Sequence, residues 1–290
     1  MIYKTLKFIY NHPYNSNNKW GGVIKFFKWQ INCLLNPYPV VYQYTENVKF
    51  LSWKGLAGAT GNIYCGLLEY EDMSFLLHFL REEDTFFDIG ANVGAYTLLA
   101  SGEIKANSIA IEPVPSTFGY LADNININRL DKKVELLNIG LGNDSGTIKF
   151  TKNLDTVNHV ATDNETDTIE VPIKRMDEIT KKIPILIKID VEGFETEVLN
   201  GAEKTLANPD LKAIIIELNG SGYRYGFDEK LIHKKLIDLG FKTYSYNPKN
   251  RKLTSIPTFG KYNTIYIRDE SFVNERLSKA KKIKVGQIEI

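Results

Sequence analysis

The stretch Asp88-Ile-Gly-Ala-Asn-Val-Gly94 constrains this 290-residue chain more than any other. The apolar run Thr85-Phe-Phe87 precedes it, and Ala95-Tyr-Thr-Leu-Leu-Ala-Ser101, which reads as a helix, follows it. Strand, glycine-rich turn and helix in that order make a seat for a nucleotide-like ligand. Gly90 and Gly94 allow a tight turn and a close backbone approach, and the helix start offers free N–H groups. A carboxylate at Asp88, where the strand ends, is unfavourable beside a pyrophosphate and suits a ligand carrying positive charge.

The rest of the chain extends this unit. A second strand over 108–111 ends at Glu112, about 20 residues beyond the glycine turn, where an acid meets ribose hydroxyls in a βαβ unit. Pro113 stops that strand, and Phe118, Leu121 and Ile125 give the next helix its buried face. A third strand covers 134–139 and a turn-rich loop 140–146. The alternating stretches 147–151 and 170–175 read as a pair of added strands, separated by a polar segment containing His159. Residues 184–190 are near-continuously apolar except for Lys188, as in a buried parallel strand. A helix over 195–206, a strand over 213–216 closed by Glu217, a helix over 229–239 ending before Gly240, and strands over 241–246 and 262–267 complete the pattern. Strands alternating with helices predict a mostly parallel, seven-stranded sheet covered on both faces, α/β in class. Ligands of such sheets lie at the carboxyl ends of the strands. Asp88–Gly94, Glu112-Pro113, Gly140-Leu141, Asp190–Gly193 and Glu217 all fall there.

Residues 1–65 stand outside this pattern, as a helical and short-strand extension to a domain over 66–270. Lys4, Lys7, Lys19, Lys25 and Lys28 are the only charged side chains of residues 1–37, and apolar and aromatic residues interleave with them. The stretch 21–35 fits one amphipathic helix. Two readings stay open for it: a helical cap packed on the main domain or on a second subunit, or an interfacial helix against an anionic membrane or a lipid-linked substrate. Residues 38–70 read as short strands and turns with a small hairpin, and 71–80 as a helix. Residues 271–290 read as a basic tail, partly disordered from 275. Thirty-six basic against 35 acidic residues leave a net charge of +1, which does not suggest a nucleic-acid binder. Cys33 and Cys65 are too few for a disulfide framework or zinc site, so a reduced, cytoplasmic setting is expected. No apolar run approaches a membrane span, and the first stretch lacks the apolar core and cleavage site of a signal peptide.

The pattern D-x-G-x-N-x-G resembles the first motif of the S-adenosylmethionine-dependent methyltransferases, in which Asp88 would face the cofactor's amino group and the glycines would pass beneath it. With Ile111-Glu-Pro-Val-Pro115, Leu186-Ile-Lys-Ile-Asp-Val-Glu-Gly193, Glu195 and Val198-Leu-Asn-Gly-Ala202 in order, the chain resembles the FkbM family of these enzymes over roughly 66–218. Gly66-Leu-Leu-Glu-Tyr70 and Met176-Asp177 also fit it. The resemblance implies a Rossmann-like class I fold, S-adenosylmethionine as cofactor, and methylation of a hydroxyl on a sugar, glycan or related small molecule. Cofactor contacts are then expected from Asp88, Gly90, Asn92, Gly94, Glu112, Pro113, Gly140, Leu141 and Asp190.

Methyl transfer to a hydroxyl requires alignment, exclusion of water and removal of a proton. Asp190 at the end of the fourth strand is the first candidate base, with Glu192 beside it. Lys188, two residues earlier on the same strand face, is placed to pair with an acid there. His159 is the other candidate base. A divalent cation held by Asp190 and Glu217, with Glu192 and Asn219, is the weaker alternative. A nicotinamide-dependent oxidoreductase would use the same turn, but Asn92 and Ala95 replace the second and third glycines of its fingerprint. A non-catalytic relative that kept the fold is the third reading. Homo-oligomerisation stays open.

Overall fold

A computed structural model describes residues 2–152, 158–162 and 164–290. Helices α1 (Ile2–Asn11) and α2 (Lys19–Leu35) pack on each other. They are followed by a hairpin of β1 (Val40–Gln43) and β2 (Lys49–Ser52), and then by α3 (Ala57–Cys65) and α4 (Tyr70–Phe79). The central strands are β3 (Thr85–Ile89), β4 (Asn107–Ile111) and β5 (Val134–Leu137). Next, β6 (Gly140–Leu141), β7 (Gly146–Thr151) and β8 (Thr168–Lys174) form a separate sheet in the order β6-β8-β7. The main sheet continues through β9 (Leu186–Ile189), β10 (Ala213–Glu217), β11 (Lys242–Asn247), β12 (Lys252–Ser255) and β13 (Asn263–Ile267).

The main sheet has the order β12-β11-β13-β10-β9-β3-β4-β5. Strands β3, β4, β5, β9 and β10 pair in parallel, and β13 runs antiparallel between β10 and β11. The seven expected strands are present, and β12 adds an eighth as a hairpin at the edge. The polar stretch Lys252–Ser255 alternates too weakly for its sequence to mark it as a strand.

Side chains alternate across the sheet. Phe87, Ile89, Ile187, Ile189, Ile214 and Ile216 bury one face under the helices Glu195–Asn200, Glu203–Ala207 and Glu229–Asp238. Phe86, Leu186, Ala213 and Ile215 bury the other against α4, the helix Pro115–Ile127 and the helix Glu270–Lys279. The single helix expected over 195–206 is broken at Gly201-Ala202, where the Gly201 Cα lies against the Gly142 carbonyl. The helix after the glycine turn is α-helical only over Ala95–Thr97 and π-helical over Leu98–Glu103.

Two further expectations are corrected. The strand-and-turn reading of 38–70 missed α3, and the C-terminal tail is ordered. The latter continues the helix Glu270–Lys279 and closes in a ribbon, Lys284–Val285 with Ile288–Glu289. Val285 is fully buried, its carbonyl accepts a 2.7 Å hydrogen bond from Tyr14 Oη, and Ile283 and Ile290 join the main core. The many lysines between these apolar anchors masked them in the sequence. Leu277, also fully buried, tests this: Leu277→Ala should cost about 2–5 kcal/mol, the usual penalty for a core cavity, in chemical denaturation. A disordered tail would register no change.

Candidate active site

The carboxyl ends of β3, β4, β9 and β10 open into a cavity of about 330 Å³. Its floor is the glycine turn. Gly90 and Ala91 donate backbone hydrogen bonds of 3.0 and 2.9 Å to the Ile111 carbonyl, locking the turn to the end of β4. Gly90 has φ 75°, and a Cβ there would stand 1.8 Å from the Asp190 carbonyl oxygen, so no side chain fits. Asn92 also has positive φ, 50°, and its Oδ1 accepts from the Val93 N–H at 2.8 Å. Asparagine tolerates this left-handed conformation well, so the departure from a glycine fingerprint preserves the turn.

Glu112 is buried at one end of the cavity. One carboxylate oxygen accepts from Asn92 N–H and the other from Val114 N–H, each at 3.0 Å. A carboxylate has about four acceptor sites, so two stay available for a vicinal diol. Burial pushes Glu112 up to about 7, against the pull of those two N–H groups. Pro113, Gly140 and Leu141 line the cavity beside it, together with Phe150 and Asn158 from the added sheet and its loop.

The opposite end is acidic around one ammonium. Lys188, buried on β9, sits beside Asp88 of β3 in the strand register. Its Nζ donates to Asp190 Oδ2 at 2.8 Å and lies 5.1 Å from the Tyr96 ring centre. Burial alone would lower Lys188, but Asp190, Glu69 and Asp88 together raise it. Tyr96 Oη donates to Glu69, which lines the cavity. Asp190, Glu192 and Glu217 can bring a carboxylate oxygen each within 4.8 Å of one another. Burial, with the Asp190 charge, pushes Glu192 up to about 7 and Glu217 up to about 8. Glu192 stands at φ 55°, held by the tight turn around Gly193, which packs against the backbone of Ser221.

The structure thus brings Gly90, Asn92, Glu112, Pro113, Gly140, Leu141, Lys188, Asp190, Glu192 and Glu217 to one cavity. Four expected residues lie off it. Asp88 is turned beneath the floor, where Oδ2 accepts from the Thr97 N–H and hydroxyl at 3.0 and 2.6 Å and Oδ1 has no partner. It braces the helix start and is not among the residues lining the cavity. Gly94 lies behind the turn. His159 is held by Glu165 at 3.0 Å, away from the cavity. Asn219 is not among the three carboxylates and accepts from Ser221 N–H instead. Glu69, Tyr96 and Asn62 were missed. Glu69 lies within the lead-in Gly66-Leu-Leu-Glu-Tyr70, its only signal, and Tyr96 lies in the apolar stretch 95–101 that reads as a helix.

A domain model described as the Methyltransferase FkbM domain matches residues 88–243, more than half of the chain. The chain belongs to the FkbM methyltransferase family. Among its relatives, "Hexuronic acid methyltransferase AglP" of Haloferax volcanii is 30% identical over 189 residues, covering 60% of this chain and 70% of that protein. "Methyltransferase 1" of Beauveria bassiana is 24% identical over 200 residues, covering 59% and 79%. A solved FkbM methyltransferase from Methylobacillus flagellatus aligns with TM-score 0.46 and 15% identity over 71% of this chain and 52% of its own, so this chain spans about half of that structure. FkbM membership makes the protein an enzyme with S-adenosylmethionine as methyl donor, and nothing in the comparisons favours the nicotinamide reading. The donor set fits that cofactor: a diol acceptor at Glu112, a side-chain-free turn at Gly90, and carboxylates of Glu69 and Asp190 where positive charge would lie.

Three outcomes follow from this geometry. Glu112→Gln should weaken S-adenosylhomocysteine binding about tenfold or more by calorimetry, the worth of a charge-assisted hydrogen bond; wild-type affinity should fall as pH drops below about 7 and Glu112 takes up a proton. Lys188→Met leaves Asp88, Glu69 and Asp190 without their cation, and should destabilise the protein by about 3–5 kcal/mol in denaturant melts. Asp72, Glu112, Glu192 and Glu195 are raised to about 7 and Glu217 to about 8 in the fold, so the folded state binds more protons than the unfolded chain from about pH 4.5, where free carboxyls have ionised, up to about pH 8. The cofactor-free protein should therefore lose stability as pH rises through that window, as read by the urea midpoint at each end of it.

Proposed function

We propose that the protein methylates a hydroxyl of a sugar within a glycan or glycan precursor. The observation that carries this reading is the carboxylate group Asp190–Glu192–Glu217 on the cavity wall opposite Glu112. When bound, S-adenosylmethionine supplies an activated methyl group on a positively charged sulfur. Glu112 accepts the ribose hydroxyls and the Gly90–Asn92 turn supports the nucleoside. Glu69 and Asp190 offset the positive charge, with Lys188 fixing Asp190.

A sugar hydroxyl is a weak nucleophile until its proton leaves. Glu192 and Glu217, raised to about 7 and 8, are matched to take that proton near neutral pH. Lys188 and Asp190 act as positioning and electrostatic residues, and His159 as a brace of the added sheet. The glycan assignment draws on the similarity to a hexuronic acid methyltransferase.

Incubation with methyl-labelled S-adenosylmethionine and a panel of nucleotide sugars and lipid-linked glycans should place label in a sugar. Glu217→Gln should lower kcat about a hundredfold while leaving S-adenosylhomocysteine affinity within about twofold of wild type. Label in no sugar acceptor, with cofactor binding intact, would overturn the glycan assignment.

A further inference from the structure

Helix α2 presents two apolar faces. Gly22, Val23, Phe26 and Trp29 are buried against α1 and α3. Trp20, Ile24, Phe27, Ile31, Leu34 and Leu35 are 66%, 52%, 49%, 57%, 81% and 81% exposed. Their spacing of three and four residues puts them in one stripe along the solvent side, which a helix serving only as a cap would fill with polar residues. The stripe continues past the helix end to Tyr38, 75% exposed, and Trp20 touches Tyr10 of α1 edge-on at 5.6 Å between ring centres. Helix α1 adds Tyr3, 76% exposed, on the side of Tyr10.

The charge around the stripe has one sign. Lys4, Lys7, Lys19, Lys25 and Lys28 are the only charged side chains before Glu46. None of the five forms an ion pair among the described residues. On a helical projection Lys19 and Lys28 flank the stripe on its two sides. This contrasts with the rest of the chain, whose charges nearly balance. Aliphatic and aromatic side chains on one helical face with lysines at its margins are the composition of a helix lying in a lipid interface. Among the described residues no helix is long and apolar enough to cross a membrane, so the contact is with the surface.

We infer that α2, with the adjoining end of α1, docks on an anionic lipid bilayer. The stripe seats in the headgroup–acyl boundary and the lysines face anionic headgroups. Like charges at both margins of the stripe, Lys19 and Lys28, oppose the alternative occupant, a second copy of this chain related by two-fold symmetry. The docked helix packs on α3, and Gly58 and Asn62 of α3 line the catalytic cavity. The active site therefore stands one helix layer from the bilayer. Docking does not depend on which hydroxyl is methylated. Its consequence for the acceptor, delivery on a lipid carrier, rests on the glycan reading above.

The test is flotation of the full chain with phosphatidylcholine vesicles, with and without phosphatidylglycerol, in the absence of any acceptor. Binding should require the anionic lipid and weaken with added salt. Lys19→Gln and Lys28→Gln should each lower it about fivefold, and Ile24→Asp with Ile31→Asp more than about tenfold. These side chains stand in solvent, so circular dichroism and S-adenosylhomocysteine affinity should be unchanged in every variant. Failure to float with anionic vesicles would overturn the proposal, as would a dimer by light scattering that Ile24→Asp with Ile31→Asp converts to monomer without any vesicle binding. Because no acceptor is present, a failure here leaves the glycan reading standing, and absence of sugar labelling leaves the docking standing.

Discussion

The site is held together by the Lys188 ammonium. It is buried at the centre of the parallel sheet, next to Asp88 in register, bonded to Asp190, and stacked near the Tyr96 ring that carries Glu69. Four elements, β3, β9, the segment before α4 and the helix after the glycine turn, each bring one partner to that cation. A carboxylate cluster of this density is tolerable in a buried setting only around an opposing charge. Lys188 thereby balances the acidity that Asp88, Asp190 and Glu69 bring together.

Backbone contacts set the spacing around that charge. The turn after β3 meets the end of β9 at Gly90 and the Asp190 carbonyl, and the turn after β9 meets the segment after β10 at Gly193 and Ser221. Glycine at both junctions removes the Cβ that would hold the strand ends apart. The close approach of Glu192 and Glu217, which lie on different strands' ends, follows from the second junction, and the seating of the cavity floor from the first.

Much of this was legible in the sequence because parallel strands and glycine turns have strong local signatures. The order of seven strands, the turn at Asp88–Gly94, and the positions of Glu112, Lys188 and Asp190 all follow from local pattern and spacing. What escaped has non-local causes. Asp88 turns inward because Thr97, nine residues on, offers it two hydrogen bonds, which no strand-end rule reveals. His159 is taken by Glu165 through the folding of its own loop. Glu69 reaches the site only through the docking of α4 and its hydrogen bond from Tyr96, and the C-terminal ribbon is ordered by Tyr14 from the opposite end of the chain.

Phe150 and Val171 of the small β6-β8-β7 sheet form an apolar cluster with Val114 and Val160, while Leu141 of β6 joins the main-sheet core. The sheet reaches the cavity through Gly140, Leu141, Phe150 and Asn158, while every residue assigned to the charged hub lies outside it. The cavity therefore has two walls with different histories open to them. The hub wall can hardly change without unbalancing buried charge. The β7–β8 part of the added sheet, away from Leu141, which is buried in the main core, can exchange side chains at less cost to the hub, which gives a lineage of these enzymes a route to new acceptors on an unchanged methyl-transfer scaffold.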